Sequence, residues 1–293
     1  MPLPDVLLAK AAHFAQALPV QIALGLAAVV LVAGLEIAVL GWSRASLPAL
    51  VRTPSSRRDL LSFALDVTGI LRALGHLLTL GIGYAIGLGV RRVLHLDLAL
   101  LPHSPLAQIA LFLFAKSFAD YWMHRAMHRY APLWEIHKYH HSAAEMNIVT
   151  AHRESVLVAP FVAVWLALPL GLLGTPVRTF LIVGFLIEFH ALLIHSRLAF
   201  DFGRLGERLL ISPAAHRLHH ALDAARHGRN FGFTLSVWDH LFGTHARATD
   251  ARGIAIGVDD PVYNARSWPR EMLYSLRRFA AALRSGASDS RAA

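Results

Sequence analysis

The sequence contains no cysteine and few charged residues. Without cysteine, the chain cannot form a disulfide, a thiolate metal site or an iron–sulfur cluster. Charged residues make up 16% of the 293 positions, whereas soluble domains carry about 25%. Hydrophobic residues make up 55%, and the mean hydropathy is +0.47. This composition is too apolar for a soluble protein of this length and predicts a membrane protein.

Acidic residues are also scarce relative to basic ones, and the formal net charge is +9. Such an excess is compatible with nucleic-acid binding, but the basic residues stand in loops beside apolar runs. Anionic phospholipid headgroups are therefore the expected counterpart, and we expect no nucleic-acid partner.

Several apolar runs have about the length that crosses a bilayer, which is roughly twenty residues. They cover residues 18–42, 73–90, 99–119, 156–174 and 177–195. The first run is too long for a signal peptide, and no basic residue precedes it within the first nine positions. Five spans are the preferred interpretation, and merging or losing one early run would give four.

Charges and turn signals orient these runs. Arg44, Arg52, Arg57 and Arg58 follow the first run, which places that loop in the cytoplasm and the amino terminus outside. Arg91 and Arg92 follow the second run and fit this topology poorly. The sequence Gly174-Thr-Pro176 separates the last two runs and predicts a membrane hairpin that returns the chain to the side it left.

Eight of the eighteen histidines fall into three boxes with the spacings HxxxH, HxxHH and HxxHH. They are His124 and His128, then His137, His140 and His141, and after the hairpin His216, His219 and His220. In a helix, residues three or four apart share one face. Imidazole suits iron, zinc and copper, and eight imidazoles exceed the coordination of a single four- or five-coordinate ion. The boxes therefore predict two metal ions bound between both halves of the chain.

The boxes and their flanks resemble the fatty acid hydroxylase/sterol desaturase superfamily, the membrane-bound non-haem di-iron oxygenases. Before the hairpin the matching text is Asp120-Tyr-Trp-Met-His-Arg-x-x-His128, Pro132-Leu-Trp-Glu-Ile-His-Lys-Tyr-His-His-Ser142 and Asn147-Ile-Val-Thr-Ala-His-Arg153. After it come Ser212-Pro-x-x-His-Arg-x-His-His220, Asn230-Phe-Gly-Phe and Trp238-Asp-His-Leu-Phe-Gly-Thr244. The resemblance covers residues 105–245 in order.

The apolar runs and this resemblance together predict an all-α, polytopic membrane protein with four to five transmembrane helices and a cytoplasmic helical histidine-box metal domain. The expected division is an amino-terminal transmembrane region at 1–104, a catalytic domain at 105–245 that includes the hairpin 156–195, and a carboxy-terminal amphipathic helix and tail at 246–293. In the tail region, Trp268 to Leu283 carries an apolar stripe that suits either a helix in the membrane interface or a helix packed on the metal domain. Residues 285–293 are expected to be disordered.

The resemblance also implies the site. The eight box histidines are the expected catalytic and metal-binding residues. His195, at the end of the fifth run, is expected as an additional ligand, with His190 as a further candidate. Ligating imidazoles need their second nitrogen held by a carboxylate or carbonyl, and the candidates for supporting positions are Asp120, Glu135, Glu188, Asp223, Asn230 and Asp239. His152 stands where relatives usually carry an apolar residue, so it is not expected to bind metal.

The implied reaction uses O2 and external electrons to hydroxylate or desaturate a C–H bond of a lipid, whether sterol-like, fatty acyl or ether-linked. The cofactor would be two iron ions, for which zinc could substitute in purified protein. Since the chain has no G-x-G-x-x-G fingerprint and no cysteine cluster, a separate ferredoxin, cytochrome or flavoprotein reductase must supply the electrons.

Two alternatives belong to other classes. A membrane zinc hydrolase would use metal-bound hydroxide, but H-E-x-x-H is missing and eight histidines are excessive for one zinc ion. A non-catalytic metal-binding or transport protein would place its ligands at mid-membrane in broken helices, whereas these histidines cluster in polar segments after the spans.

Overall fold

A computed structural model describes residues 3–70, 79, 82–95, 104–223, 226, 228–247 and 251–286. Within these ranges the regular elements are helical, which agrees with the predicted all-α fold. The longer helices are α1 (Leu3–Leu40), α2 (Pro54–Val67), α3 (Ile82–Val93), α4 (Pro105–Arg129), α5 (Ala131–His141), α6 (Val158–Leu173) and α7 (Val177–His195). Shorter helices follow as α8 (Gly203–Gly206), α9 (Pro213–His219) and α10 (Val237–Leu241), before the long α11 (Trp268–Ser285). A 3₁₀ helix, Ile148–His152, precedes α6.

Among the described residues, two helices are long and apolar enough to cross a bilayer, namely Leu18–Leu40 within α1 and Val177–His195, which is α7. Helix α6 is equally apolar but shorter. The carboxylate of Glu36 near the end of α1 accepts a hydrogen bond of 2.6 Å from the backbone N–H of Arg197, just after α7. The carboxy-terminal ends of α1 and α7 therefore lie side by side.

The predicted hairpin is present. Helix α6 ends at Gly174, whose φ of 60° is the left-handed conformation that glycine adopts without steric cost. Pro176 then precedes α7. The described part of the second run packs closely against α6 through its glycines. A Cβ on Gly83 would stand 2.1 Å from the carbonyl oxygen of Val164, and one on Gly87 would stand 2.4 Å from that of Leu168.

These contacts show that α3 and α6 run in the same direction, because increasing numbers in one helix face increasing numbers in the other. Arg91 and Arg92, at the end of α3, therefore lie toward the turn of the hairpin. The sequence predicted that these two arginines would fit the topology poorly. Their position at the hairpin turn, away from the predicted cytoplasmic loop, conflicts with the positive-inside rule.

The boundaries of the early predicted runs differ from the helices. The run predicted at 73–90 overlaps α3 only from residue 82; residues 73–78, 80 and 81 lie outside the described residues, as do residues 99–103 of the third run. From Pro105 the third run continues without a break to Arg129, so one helix carries both the apolar segment and the first histidine box. Residues 59–67, between the first and second runs, form the second part of α2.

The carboxy-terminal helix α11 packs on α5 through one face, where Glu271, Met272 and Ser275 are buried. Leu276 and Leu283 of the predicted apolar stripe remain exposed. One part of the apolar stripe therefore packs against α5, and the other part lies at the surface. The predicted disordered tail lies outside the described residues except for Ser285 and Gly286.

Candidate metal centre

Two consecutive helices carry the first two histidine boxes. His124 and His128 are one turn apart near the end of α4, and the second box fills the last two turns of α5. The third box lies on α9, a short helix whose amino terminus is capped by the Ser212 hydroxyl, which accepts a 3.1 Å hydrogen bond from the N–H of Ala215. The hairpin connects α5 to α9, so the fold brings the third histidine box beside the first two, as the sequence predicted.

Nine histidines form two groups in which the candidate ligand atoms lie within 4.8 Å of one another. The first, which we call the five-histidine group, contains His124, His128, His137, His141 and His219. The second, the four-histidine group, contains His140, His195, His216 and His220. Each group mixes residues from before and after the hairpin.

The four-histidine group has distances expected of ligands around one ion. The Nε2 atom of His195 lies 3.3 Å from Nε2 of His140 and 2.9 Å from Nε2 of His216. The Nε2 atoms of His216 and His220 are 3.2 Å apart. Imidazole nitrogens bind such metals at about 2.0–2.1 Å, which puts neighbouring ligand nitrogens about 3.0–3.4 Å apart. These residues therefore fit a single metal ion.

The two groups are in contact. The rings of His141 and His220, one from each group, are stacked with centroids 4.2 Å apart, and those of His137 and His140 are 5.2 Å apart. The histidines therefore form one continuous cluster with room for two neighbouring ions.

Unused nitrogen atoms support metal binding in the five-histidine group. Nε2 of His124 and Nε2 of His141 are buried and have no hydrogen-bond partner among the described residues, and the same holds for both ring nitrogens of His137. Buried polar atoms without partners are costly, and a metal ion would satisfy the lone pairs of these nitrogens.

Burial also selects the protonation state that binds metal. It lowers the pKa of His137, His141 and His220 well below the usual value, and repulsion from neighbouring imidazoles lowers it further. These rings are therefore neutral at physiological pH, which is the form that donates a lone pair to a metal.

Backbone carbonyls, more than the expected carboxylates, orient the rings. Nδ1 of His124 lies 2.8 Å from the carbonyl oxygen of Phe231, and Nδ1 of His219 lies 2.7 Å from that of Arg229. Between these two carbonyls stands Asn230, with a φ of 55° that asparagine tolerates better than most residues. This turn aims both carbonyls at ring nitrogens, so that Nε2 of each histidine faces the centre of its group.

Two of the predicted supporting residues fix this turn. The Asn230 amide donates hydrogen bonds to the carbonyls of Ala215 and Ala246 at 2.9 and 2.8 Å. The Asp239 carboxylate accepts 2.7 Å bonds from the backbone N–H groups of Phe231 and Gly232. Asn230 and Asp239 thus act on the five-histidine group through the backbone.

Other segments of the chain hold the four-histidine group. Nδ1 of His140 lies 3.3 Å from the carbonyl oxygen of Arg153, and Nδ1 of His195 lies 2.7 Å from that of Ala191. Arg153 is completely buried and its guanidinium pairs at 2.8 Å with Asp59 on α2, also completely buried.

Asp59 connects the residues of the motif Asn147-x-x-Thr150-x-x-Arg153 in one network. Its carboxylate also accepts hydrogen bonds from the Asn147 amide at 2.6 Å and the Thr150 hydroxyl at 2.8 Å. Sequence reasoning did not single out Asp59. Two features of the sequence could have identified Asp59. It is an acidic residue in a partly apolar segment, and the polar residues 147, 150 and 153 share the spacing of one helical face.

The remaining candidates have other partners. His190 lies in neither histidine group, and its Nδ1 is 3.0 Å from the carbonyl oxygen of Phe233. Asp120 pairs with Lys116, and Glu135 pairs with Lys138 and Arg278. Asp223 forms an exposed ion pair with Arg226. Glu188 pairs with His152 at 2.9 Å.

His152 was not expected to bind metal and belongs to neither group. Its Nδ1 donates to the Asp66 carboxylate at 2.8 Å, and its Nε2 lies 2.9 Å from an oxygen of the Glu188 carboxylate. Burial opposes charge on this ring, but Glu188 and Asp66 outweigh burial and raise the pKa of His152 to about 10. His152 is therefore an imidazolium held between two carboxylates.

The fold and the two histidine groups define a helical protein with a candidate dinuclear metal centre. Residues 109–244 match the family model described as fatty acid hydroxylase. The match supports the resemblance to the fatty acid hydroxylase/sterol desaturase superfamily that the motifs predicted, over the same part of the chain.

Curated relatives are similar over about half of the chain. An ornithine lipid hydroxylase of Rhizobium tropici is 31% identical, covering 53% of this chain and 46% of its own length. Alkylglycerol monooxygenases of Danio rerio and Homo sapiens are 34% and 31% identical, covering 53% and 50% of this chain. The matched region spans 33% and 32% of those two proteins, so the chain covers less than half of each relative. No solved structure matches the chain significantly.

Proposed function

We propose that this protein is a membrane-bound di-iron oxygenase that hydroxylates a lipid. The observation that carries the proposal is the convergence of nine histidines, drawn from both sides of the hairpin, into two adjacent groups of ligand geometry. Nine imidazoles exceed the needs of a single zinc site, which weighs against the hydrolase alternative.

The five-histidine group would hold one iron ion and the four-histidine group the other. When bound, the iron pair would supply the reduction of dioxygen and the removal of hydrogen from an unactivated C–H bond. The protein's own part is to keep the imidazoles neutral and oriented, through the carbonyls of Arg229, Phe231, Arg153 and Ala191. Such orientation of metal ligands by hydrogen bonds to their second nitrogen is a general feature of metal sites.

Aromatic side chains would keep water away from the centre. The ring of Phe233 stacks on His124 with centroids 4.7 Å apart, and Phe231 is tilted against His128 at 5.3 Å and edge-on to His219 at 5.9 Å. Exclusion of water limits side reactions of the oxidising species.

The same geometry supports a proposal for the membrane placement. Helices α1 and α7 end side by side at the metal centre, and the arginine-rich loop after α1 lies on that side. By the positive-inside rule this side is cytoplasmic, so we propose a multi-pass protein with its metal centre on the cytoplasmic face. A lipid would then enter the site sideways from the bilayer.

The relatives support hydroxylation over desaturation, since their names describe a lipid hydroxylase and monooxygenases. We propose a membrane lipid as the substrate, with its reaction dependent on O2. A separate ferredoxin, cytochrome or flavoprotein reductase is the proposed electron donor, and the net positive charge of the chain favours docking of an acidic carrier.

Metal analysis combined with lipid profiling tests the proposal. The full chain would be expressed in a host grown on ⁵⁷Fe, and membranes would be examined by Mössbauer spectroscopy alongside O2-dependent formation of hydroxylated lipid. We expect about two irons per chain, in the imidazole-rich environment that iron accepts, and a product that incorporates ¹⁸O from ¹⁸O2.

A matched control is His95→Asn, because His95 is exposed, lies outside both groups and has a φ of 49° that asparagine tolerates. This variant should retain iron and product. Equal activity in zinc-loaded, iron-free protein, or product oxygen derived from water, would contradict the proposal.

A further inference from the structure

Helix α11 lies beyond the residues that match the family model, and it has an exposed apolar face that the metal centre does not use. Leu273, Leu276 and Leu283 lie on this face with 44%, 43% and 57% of their surface exposed. Residues at this spacing follow one side of a helix, so we call them the leucine strip. Scattered exposed leucines are normal, but a continuous apolar strip marks an interaction site.

A row of arginines runs beside the leucine strip. Arg270, Arg277 and Arg284 are exposed and seven residues apart, so that each stands about two turns after the one before. None of the three forms an ion pair with another described residue. Arg278, by contrast, pairs with Glu135 on α5. The arginine row therefore presents three positive charges that the described part of the chain does not neutralise.

Acidic side chains are missing from the exposed side of α11. Glu271 is the one acidic residue of this helix, and it is completely buried. Its carboxylate lies 3.4 Å from the guanidinium of Arg58 on α2. The exposed side therefore carries cations only, and the partner that complements it is anionic.

Phe279 places α11 beside the membrane hairpin. Its side chain packs against an apolar cluster that includes Val158, the first residue of α6. Phe161, about one turn further along α6, packs against the same cluster. Leu276 and Leu283 stand three residues before and four residues after Phe279, on the same side of α11. The leucine strip therefore continues outward from the place where α11 meets the start of the hairpin.

This end of the hairpin is the one near the metal centre, because the carbonyl of Arg153, five residues before α6, holds His140. In the proposed membrane placement it is the cytoplasmic end. Helix α11 then lies where the hairpin enters the bilayer, with its leucines beside the acyl chains and its arginines beside the headgroups. Arginine suits this position because its apolar stem can lie along the chains while its guanidinium reaches a phosphate.

We propose that α11 lies in the cytoplasmic interface of the membrane and binds anionic phospholipids, with the leucine strip among the acyl chains and the arginine row on the phosphates. The inference rests on the proposed membrane placement and not on the reaction. Interfacial helices bind through buried apolar area together with attraction to anionic lipids, and α11 offers both. An acidic soluble protein is the competing occupant, and it would leave the leucine strip in water whenever it is absent.

Site-directed fluorescence tests the depth of the leucine strip, and the absence of cysteine makes the labelling specific. The full chain with one introduced cysteine, labelled with the fluorophore NBD, would be placed in phosphatidylcholine nanodiscs that contain a lipid spin-labelled near the headgroup end of its acyl chain. We expect quenching at Leu283→Cys and none at Ser285→Cys. Both positions are exposed, and at about 100° per residue they face nearly opposite directions. No quenching at Leu283→Cys, or equal quenching at both positions, would overturn the proposal.

The choice of headgroup tests the arginine row. Quenching at Leu283→Cys would be compared between spin-labelled phosphatidylglycerol and spin-labelled phosphatidylcholine at equal mole fraction. We expect an about five-fold preference for phosphatidylglycerol, the effect of one basic residue near an anionic lipid surface. Equal quenching by the two lipids would overturn the assignment of an anionic partner.

Matched triple variants separate charge from side-chain size. Arg270→Gln, Arg277→Gln and Arg284→Gln together should reduce the preference to less than about two-fold. The same three positions changed to lysine should retain most of it, because lysine keeps the charge. A preference that survives the glutamine substitutions would contradict the role of the arginine row.

Leu186→Cys separates failure of this inference from failure of the proposed membrane placement. Leu186 is exposed on α7, which is long and apolar enough to span the bilayer, so a lipid spin-labelled deep in its acyl chain should quench NBD there. Quenching at Leu186→Cys but not at Leu283→Cys would retain the membrane placement and reject α11 as an interfacial helix. Quenching at neither position would reject both. None of these measurements needs turnover, so a chain that fails to oxidise lipid would reject the oxygenase and leave the result for α11 valid.

Discussion

The two histidine groups differ in what holds their rings. In the five-histidine group, His124 and His219 are held by carbonyls of the turn at 229–231, which follows the hairpin. In the four-histidine group, His140 is held by the carbonyl of Arg153, which is fixed by Asp59 from α2. One group is therefore braced from the carboxy-terminal half of the domain and the other from the amino-terminal region. This difference means that each group can be disturbed separately, although their rings touch.

The largest effects should come from removing a ligand. His141→Ala should empty the five-histidine group and His140→Ala the four-histidine group, so each variant should fall from about two irons per chain to about one. Turnover should fall by more than about a hundred-fold in both, since even loss of a supporting partner costs up to that much. Iron content by mass spectrometry and product by lipid analysis measure these effects.

The same two variants also test whether the two groups are independent metal sites. If His140→Ala and His141→Ala each lost all iron, the two groups would not be independent sites. If either variant kept full turnover, that histidine would not be a ligand. His95→Asn again serves as the control.

Breaking the buried Asp59–Arg153 pair should be the next largest effect. Asp59→Ala leaves a buried guanidinium without its carboxylate, which costs roughly 3–5 kcal/mol. It also releases the carbonyl that holds His140, so iron should be lost from the four-histidine group first. Thermal unfolding in detergent and the Mössbauer signal of each iron would show this. Equal loss from both groups would indicate general unfolding.

Arg153→Lys sharpens that test, because lysine keeps the charge but cannot reproduce the several hydrogen bonds of the guanidinium. Arg153 donates to the carbonyls of Tyr139 and Ser55 as well as to Asp59. The variant should therefore lose less stability than Asp59→Ala but still loosen His140.

The sequence predicted which histidines meet, because helical spacing places each box on one face and the hairpin signal at Gly174 returns the chain. The sequence did not predict how these histidines divide between the two groups. His140 and His141 are adjacent in sequence, yet they belong to different groups, since neighbouring residues on a helix point about 100° apart. Only the position of α9 and the end of α7 decides which partners each one meets.

The supporting residues were harder to predict for a physical reason. Four ring nitrogens are held by backbone carbonyls, and a carbonyl carries no residue-specific signal in a sequence. Asp239 and Asn230 could be singled out because they fix that backbone with side chains. Glu188, by contrast, was expected near the metals and instead pairs with His152.

Asp239→Asn should have a smaller effect that falls on the five-histidine group. The amide keeps the size of the side chain but loses the charge that accepts two backbone N–H bonds, from Phe231 and Gly232. We expect a ten- to hundred-fold loss of iron affinity at that group, roughly the effect of removing a supporting partner. Iron retention during dialysis against a chelator measures it, and the four-histidine group should keep its iron longer.

The smallest effect is expected at Asp223, which the sequence also placed among the supporting residues. Its side chain is 60% exposed and pairs with Arg226 at 3.4 Å on the surface. Exposed ion pairs contribute about 0–1 kcal/mol, so Asp223→Asn should change stability and iron retention little. Because Asp223 and Asp239 both lie close to the third box in sequence, the contrast between them tests whether buried contact to the turn at 229–232 decides a carboxylate's influence. An equal loss of iron in both variants would show that charge near the third box matters more than that contact.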